Sequence, residues 1–165
     1  MGQPKGFLHA WVIASALLLL LLPAARAETL PDADTREIRA YTLTETALGK
    51  YVEATRKLSA IPLDCSADEP GVGSLTDAAA RIDAVPGAKA VVRSAGLTSR
   101  EYVLFAFSLI ENAYASFALD QPGGMLPPGI SMSNVEFLRS HAGVIEQLAN
   151  ETEVAGCAED GGTSG

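Results

Sequence analysis

At four places along this chain a helix start is marked by a Ser, Thr or Asp with an acid three residues later, ahead of a stretch of helical apolar periodicity. The four sites are Asp34–Glu37, Ser74–Asp77, Thr98–Glu101 and Ser133–Glu136. A short polar side chain there accepts from the free N–H groups of a first helical turn, and the acid reaches back to complete the cap. The pattern divides the chain into helices. No strand alternation and no internal repeat accompanies it.

The spacing predicts a first long helix over about Thr35–Ser59, with Ile38, Tyr41, Leu48, Val52 and Thr55 on one face and Pro62 as its stop. Pro86-Gly87 turns two short helices, about Leu75–Val85 and Ala88–Ala95, into a hairpin, with Gly96 as a left-handed stop. The most apolar helix follows, to about Leu119, carrying the stripe Tyr102, Phe105, Ala106, Leu109, Ala113 and Phe117. Leu104 and Phe107 lie off that stripe, so its first half should be buried nearly all round. After a Pro/Gly loop over Gln121–Ile130, a last helix is expected to run to about Val154, with Phe137, Leu138, Val144, Ile145 and Leu148 inward.

Residues 1–27 have the form of a cleavable export signal: Lys5, an apolar run Trp11–Leu22, Pro23, and small residues at Ala25 and Ala27. The run is short for a bilayer of about 30 Å, and no later segment is expected to span one, so stable membrane insertion after cleavage is not expected. Export would place the chain in the periplasm or outside the cell. Cleavage removes Lys5 and Arg26 but no acid, taking the net charge from −8 to −10. That acidity argues against nucleic acid as a partner. Residues 28–157 are expected to form one helical domain, and residues 158–165 a disordered acidic tail.

In an oxidising compartment Cys65 and Cys157 are expected to pair. Such a bond bears on topology. In a four-helix up-and-down bundle the first and last helices end at opposite poles, whereas the extra hairpin brings their ends together. The expected fold is therefore all-α: a bundle of three long helices plus a short helical hairpin, with one disulfide.

Residues that carry chemistry are few. His141 is the one histidine beyond the signal, set between Leu138 and Ile145. It reads as a ligand or acid/base group, or as a partly buried ring tied to a carbonyl or carboxylate. Glu45 falls in the apolar stripe of the first helix and could pair with His141 or an Arg. Glu111 and Asn112 read as a solvent strip or an interhelical contact. There is no Cys-x-x-Cys, Gly-x-Ser-x-Gly, phosphate loop or helical Glu-x-x-His pair, so neither a metal nor another cofactor is expected. Asn150-Glu151-Thr152 matches a glycosylation sequon, a pattern common by chance. The loop Met125–Met132 either covers the bundle end or offers a recognition surface.

Two segments carry a resemblance. Ala95-Gly96-Leu97-Thr98-Ser99-Arg100-Glu101-Tyr102-Val103 and Asn134-Val135-Glu136-Phe137-Leu138-Arg139-Ser140-His141 resemble segments of small exported helical proteins of Gram-negative bacteria that have no assigned activity. The resemblance implies export and a helical fold, and it implies no mechanism. In the second segment Arg139 and His141 are the residues that folding does not obviously require. The expected function is a non-catalytic binding module for an envelope protein or a small apolar ligand, using Met125, Met132, Arg139, His141 and Glu45. The alternatives are a small hydrolase or metal-dependent enzyme built on His141 and a carboxylate, and a self-associating structural envelope protein.

Overall fold

The computed structural model describes residues 30–61 and 72–153. The expected signal, Cys65, Cys157 and the acidic tail lie outside them. Among the described residues there are seven helices and no strand: α1 Asp32–Ala40, α2 Glu45–Leu58, α3 Leu75–Ala84, α4 Ala88–Ser94, α5 Ser99–Leu119, α6 Met132–Ser140 and α7 Ala142–Glu153. The fold is all-α. Of the three long helices expected, the middle one is present as α5, and the first and last are each broken in two.

The first break falls at Tyr41–Thr44. The apolar period runs straight through it, but Thr44 adopts an extended backbone and its hydroxyl accepts from Ala47 N at 3.2 Å, starting α2. The backbone groups released by the break find a partner on α6. Buried Asn134 donates from Nδ2 to Tyr41 O at 2.7 Å and accepts at Oδ1 from Leu43 N at 3.0 Å. A side-chain amide thus stands in for a strand neighbour, and the linker needs no helix to satisfy it. The cap expected at Ser133–Glu136 is not used, because α6 begins earlier, after Ser131.

The cap expected at Asp34 is spent elsewhere too. α1 starts at Asp32, behind Pro31, and the Asp34 carboxylate accepts from Leu75 N at 2.8 Å, so it serves the first turn of α3. Ser74 caps α3 as the spacing predicts, accepting from Asp77 N at 3.0 Å. The hairpin of α3 and α4 turns on Val85–Gly87, with Gly87 at φ 84°, and Gly96 at φ 79° ends α4.

α5 is the centre, touching α1, α2, α3, α4 and α6. Thr98 and Glu101 form a complete capping box at its start. Phe105 and Leu109 pack with Leu43, Leu48, Val52, Leu138 and Leu148 from α2, α6, α7 and the broken linker. Val103 and Leu104 pack with Ile38, Leu75 and Ala78 from α1 and α3. The Tyr51 ring lies 4.9 Å from both Tyr102 and Phe105, and the Tyr102 hydroxyl lies 2.9 Å from that of Thr55, fastening α2 to α5.

The second half of α5 departs from the expected stripe. Its inner line is Ser108, Asn112 and Ala115, while Ala113 and Phe117 are exposed. Two of these three inner residues are polar, so an apolar pattern follows the wrong face. Ser108 Oγ donates to Ile38 O at 3.1 Å or Leu104 O at 2.7 Å. Asn112 donates to Ser108 O at 2.7 Å, and its Oδ1 has no partner among the described residues. Against the expectation that no later segment could span a bilayer, α5 meets the requirement by length and composition.

Two outcomes follow. Asn134→Ala leaves Leu43 N and Tyr41 O without partners, and each such group costs about 1–3 kcal/mol. Urea denaturation should show a loss of about 2–6 kcal/mol, and a loss below about 0.5 kcal/mol would contradict the stitching role. Glu101 accepts from Thr98 N and Oγ, at 2.7 and 2.8 Å, and these bonds hold its carboxyl below the ordinary value. Its stabilisation is complete above about pH 4.5, the ordinary value, and is lost as pH falls through the lower, folded-state value. The melting temperature of Glu101→Gln should therefore approach that of the parent on acidification. A gap that stays constant from about pH 6 to 3 would contradict this assignment.

Candidate functional site: the fastenings of the sixth helix

α6 and its C-cap carry Met132, Arg139 and His141, three of the five residues expected to act, and the structure connects Asn134, Arg139 and His141 to three different elements. Asn134 holds the α1–α2 linker, as described. Arg139 reaches the end of α5: Nε donates to Ser116 Oγ at 2.9 Å, and Nη2 donates to Ser116 O at 3.3 Å and to Asp120 Oδ1 at 2.8 Å. A cation on the last carbonyls of a helix complements its dipole and offsets Asp120, an acid at the unfavourable end. Folding therefore uses Arg139, contrary to the expectation.

His141 sits at the second break. Its own N–H and its Nδ1 both approach Phe137 O, at 3.1 and 2.8 Å, while its carbonyl accepts from Val144 N and Ile145 N, opening α7. The ring stacks on Phe137 with centroids 4.1 Å apart. Ring, hydroxyl and backbone thus gather on one carbonyl, and the helix direction changes there without a proline. The turn leaves Val144 exposed rather than inward.

The Nε2 of His141 lies 2.6 Å from Glu45 Oε1, so the expected pairing is present. Its character is different from the buried carboxylate that was expected. The Glu45 side chain is 76% exposed and that of His141 18% exposed. Glu45 is the first residue of α2, where a negative charge also suits the helix dipole. The pair bolts α7's root to α2's start.

A carboxylate, an imidazole and a hydroxyl stand in a row here, since Ser140 Oγ lies 3.0 Å from His141 Nδ1. That geometry is short of a nucleophilic relay. A base must accept the serine proton, but Nδ1 also faces Phe137 O, and Ser140 Oγ donates to that same carbonyl at 2.8 Å. The row reads as a helix cap with a carboxylate attached. Among the described residues no three His, Cys, Asp or Glu side chains cluster to hold a metal ion.

The loop before α6 divides in two. Ile130 is buried and Leu126 packs beside it against Ala115 and Val135, while Arg39 Nη1 donates to Pro128 O at 3.3 Å, so that part covers the core. Arg39 also pairs with Glu111 at 3.4 Å, making Glu111 an interhelical contact. Met125, 80% exposed, and Met132 point away from the core. Sequence reasoning missed the neighbouring surface: Ile110, Tyr114 and Phe117, one side of α5 at helical spacing, are all exposed. The signal was a stripe of large apolar residues out of phase with Ser108, Asn112 and Ala115.

No protein-family model, no curated protein and no solved structure matches this chain.

The fastening role of His141 has a measurable signature. His141→Ala loses a ring–carbonyl hydrogen bond and a stacked ring, expected to cost about 1–2 kcal/mol. Glu45→Ala loses one exposed partner and should cost about 0.5 kcal/mol or less. Equal losses, or a neutral His141→Ala, would contradict the capping role.

Proposed function

We propose that this chain is an exported, non-catalytic binding module that acts through a protein partner of the cell envelope. The observation that supports this most is the bare apolar side of α5. Tyr114 is 59% and Phe117 50% exposed, and Ile110 completes the line. Large aromatic side chains grouped on a surface mark a contact site more often than chance exposure does. The strip lies on one rod-like helix, and a small apolar ligand would need a concave, enclosing site. This favours a protein over a small molecule. Met125 and Met132 are flexible apolar side chains that belong to the same kind of surface, whereas Arg139 is fastened to the end of α5 and His141 pairs with Glu45 at the start of α2.

Export rests on residues 1–27 and on the resemblance to small exported helical proteins. The Cys65–Cys157 bond is part of the same reading. Arg56 Nε pairs with Glu151 Oε2 at 2.7 Å, bringing the last turns of α2 and α7 side by side, so each cysteine follows closely on one of two adjacent helix ends.

The reading is tested by placing a photo-crosslinking residue at position 114 and recovering the protein from its own host. The expected product is one discrete adduct, lost when Phe117→Asp is added, with an intact mass that shows cleavage after Ala27 and gains two thiols only on reduction. An adduct of twice the chain mass would instead favour a self-associating envelope protein. A chain that yields no adduct would overturn the binding surface.

A further inference from the structure

A second, chemically different surface lies at the other end of α5. α3, α4 and the start of α5 border an open cleft of about 330 Å³, lined in part by Ala79 and Ala80. Its walls carry Lys89, Arg93 and Arg100 against one acid, Asp83. In a chain with net charge −8, three cations around one cleft are a local reversal of sign.

Two of these cations hold helices together. Lys89 pairs with Asp83, joining α4 to α3. Arg100 pairs with Glu37 at 2.5 Å and reaches Thr76 Oγ1 at 3.4 Å, joining α5 to α1 and α3. Arg93 differs from both, since it is exposed and makes no hydrogen bond or ion pair among the described residues, acting on Asp83 only through space. The start of α5 is not itself the attraction, because the Glu101 carboxylate already occupies it. Asp83 is a resident anion. Lys89 and then Ser99, whose Oγ donates at 2.5 Å, hold its carboxyl below the ordinary range.

We propose that this cleft binds a phosphate group, with Arg93 as its principal anchor, Lys89 and Arg100 as flanking charges, and Asp83 as the internal competitor. Three cations drawn from two helices, α4 and α5, attract a dianion more strongly than a singly charged carboxylate. The cleft exceeds the size of a bare phosphate, and the small side chains of Ala79 and Ala80 in its lining leave room for a small organic body beside it. The group therefore comes either from free phosphate or from a small phosphate ester.

The test is amide NMR titration of the intact chain at constant ionic strength with inorganic phosphate, with glycerol 3-phosphate, and with glycerol as the uncharged control. Saturable shifts at Ala80, Arg93 and Ser99 are expected with both phosphates and not with glycerol. Arg93→Ala should weaken binding about tenfold, and Asp83→Asn should tighten it. Tighter binding of the ester than of inorganic phosphate assigns the site to a phosphate ester, and equal binding assigns it to free phosphate. Absence of saturable shifts, or saturation that Arg93→Ala leaves unchanged, overturns the proposal. Arg93 is exposed, so its variant should keep its melting temperature; if it does not, Arg93→Gln is the variant to read.

Discussion

A helix that stops inside a packed protein releases backbone donors and acceptors that water cannot reach, and at Tyr41–Leu43 one side chain answers for both kinds. The Asn134 amide offers one donor and one acceptor, the same pair a peptide group offers. Its two bonds fix the height and rotation of α6 against the linker. Arg139 and His141 then fasten the same short helix to the end of α5 and the start of α2. The largest apolar cluster, in which Leu43, Phe105, Leu138 and Leu148 meet, depends on that placement.

How much of this the sequence discloses depends on how local each interaction is. The Thr98–Glu101 box and the Pro86-Gly87 hairpin are complete within a few residues, and both are present where the spacing predicts them. Asp34 serves a donor 41 residues away, so its spacing suggested a cap on α1 that it does not form, and the partners of Asn134 lie more than 90 residues away, beyond the reach of any local pattern. The break at Tyr41–Thr44 is silent for another reason: Tyr41, Leu48 and Val52 still face one core across it, so the apolar period survives the interruption. The Glu45–His141 pair was legible as a possibility because both residues border apolar stripes. Its exposure was not, since that follows from a turn at His141 that no proline announces.

α5 has two halves with different surroundings. Neighbours encircle the first, where a cleft with several cations lies against its start. The second buries Ser108, Asn112 and Ala115 and leaves Tyr114 and Phe117 outside. The apolar composition of this helix is thus divided between a core and a surface, with a polar line on its inner side. One rod presents an apolar face near one end and a cationic recess near the other.

The bond from Leu75 N to Asp34 makes the beginning of α3 conditional on α1 being docked. A helix ordinarily secures its own first turn from adjacent residues, and Ser74 does part of this locally. The remaining share comes from a segment far upstream, so α1 and α3 become one cooperative unit rather than two independently fraying ends. Loss of α1 to a protease would release a donor in the first turn of a different helix, turning a nick at the periphery into loosening of the cluster around Ile38, Leu75 and Val103.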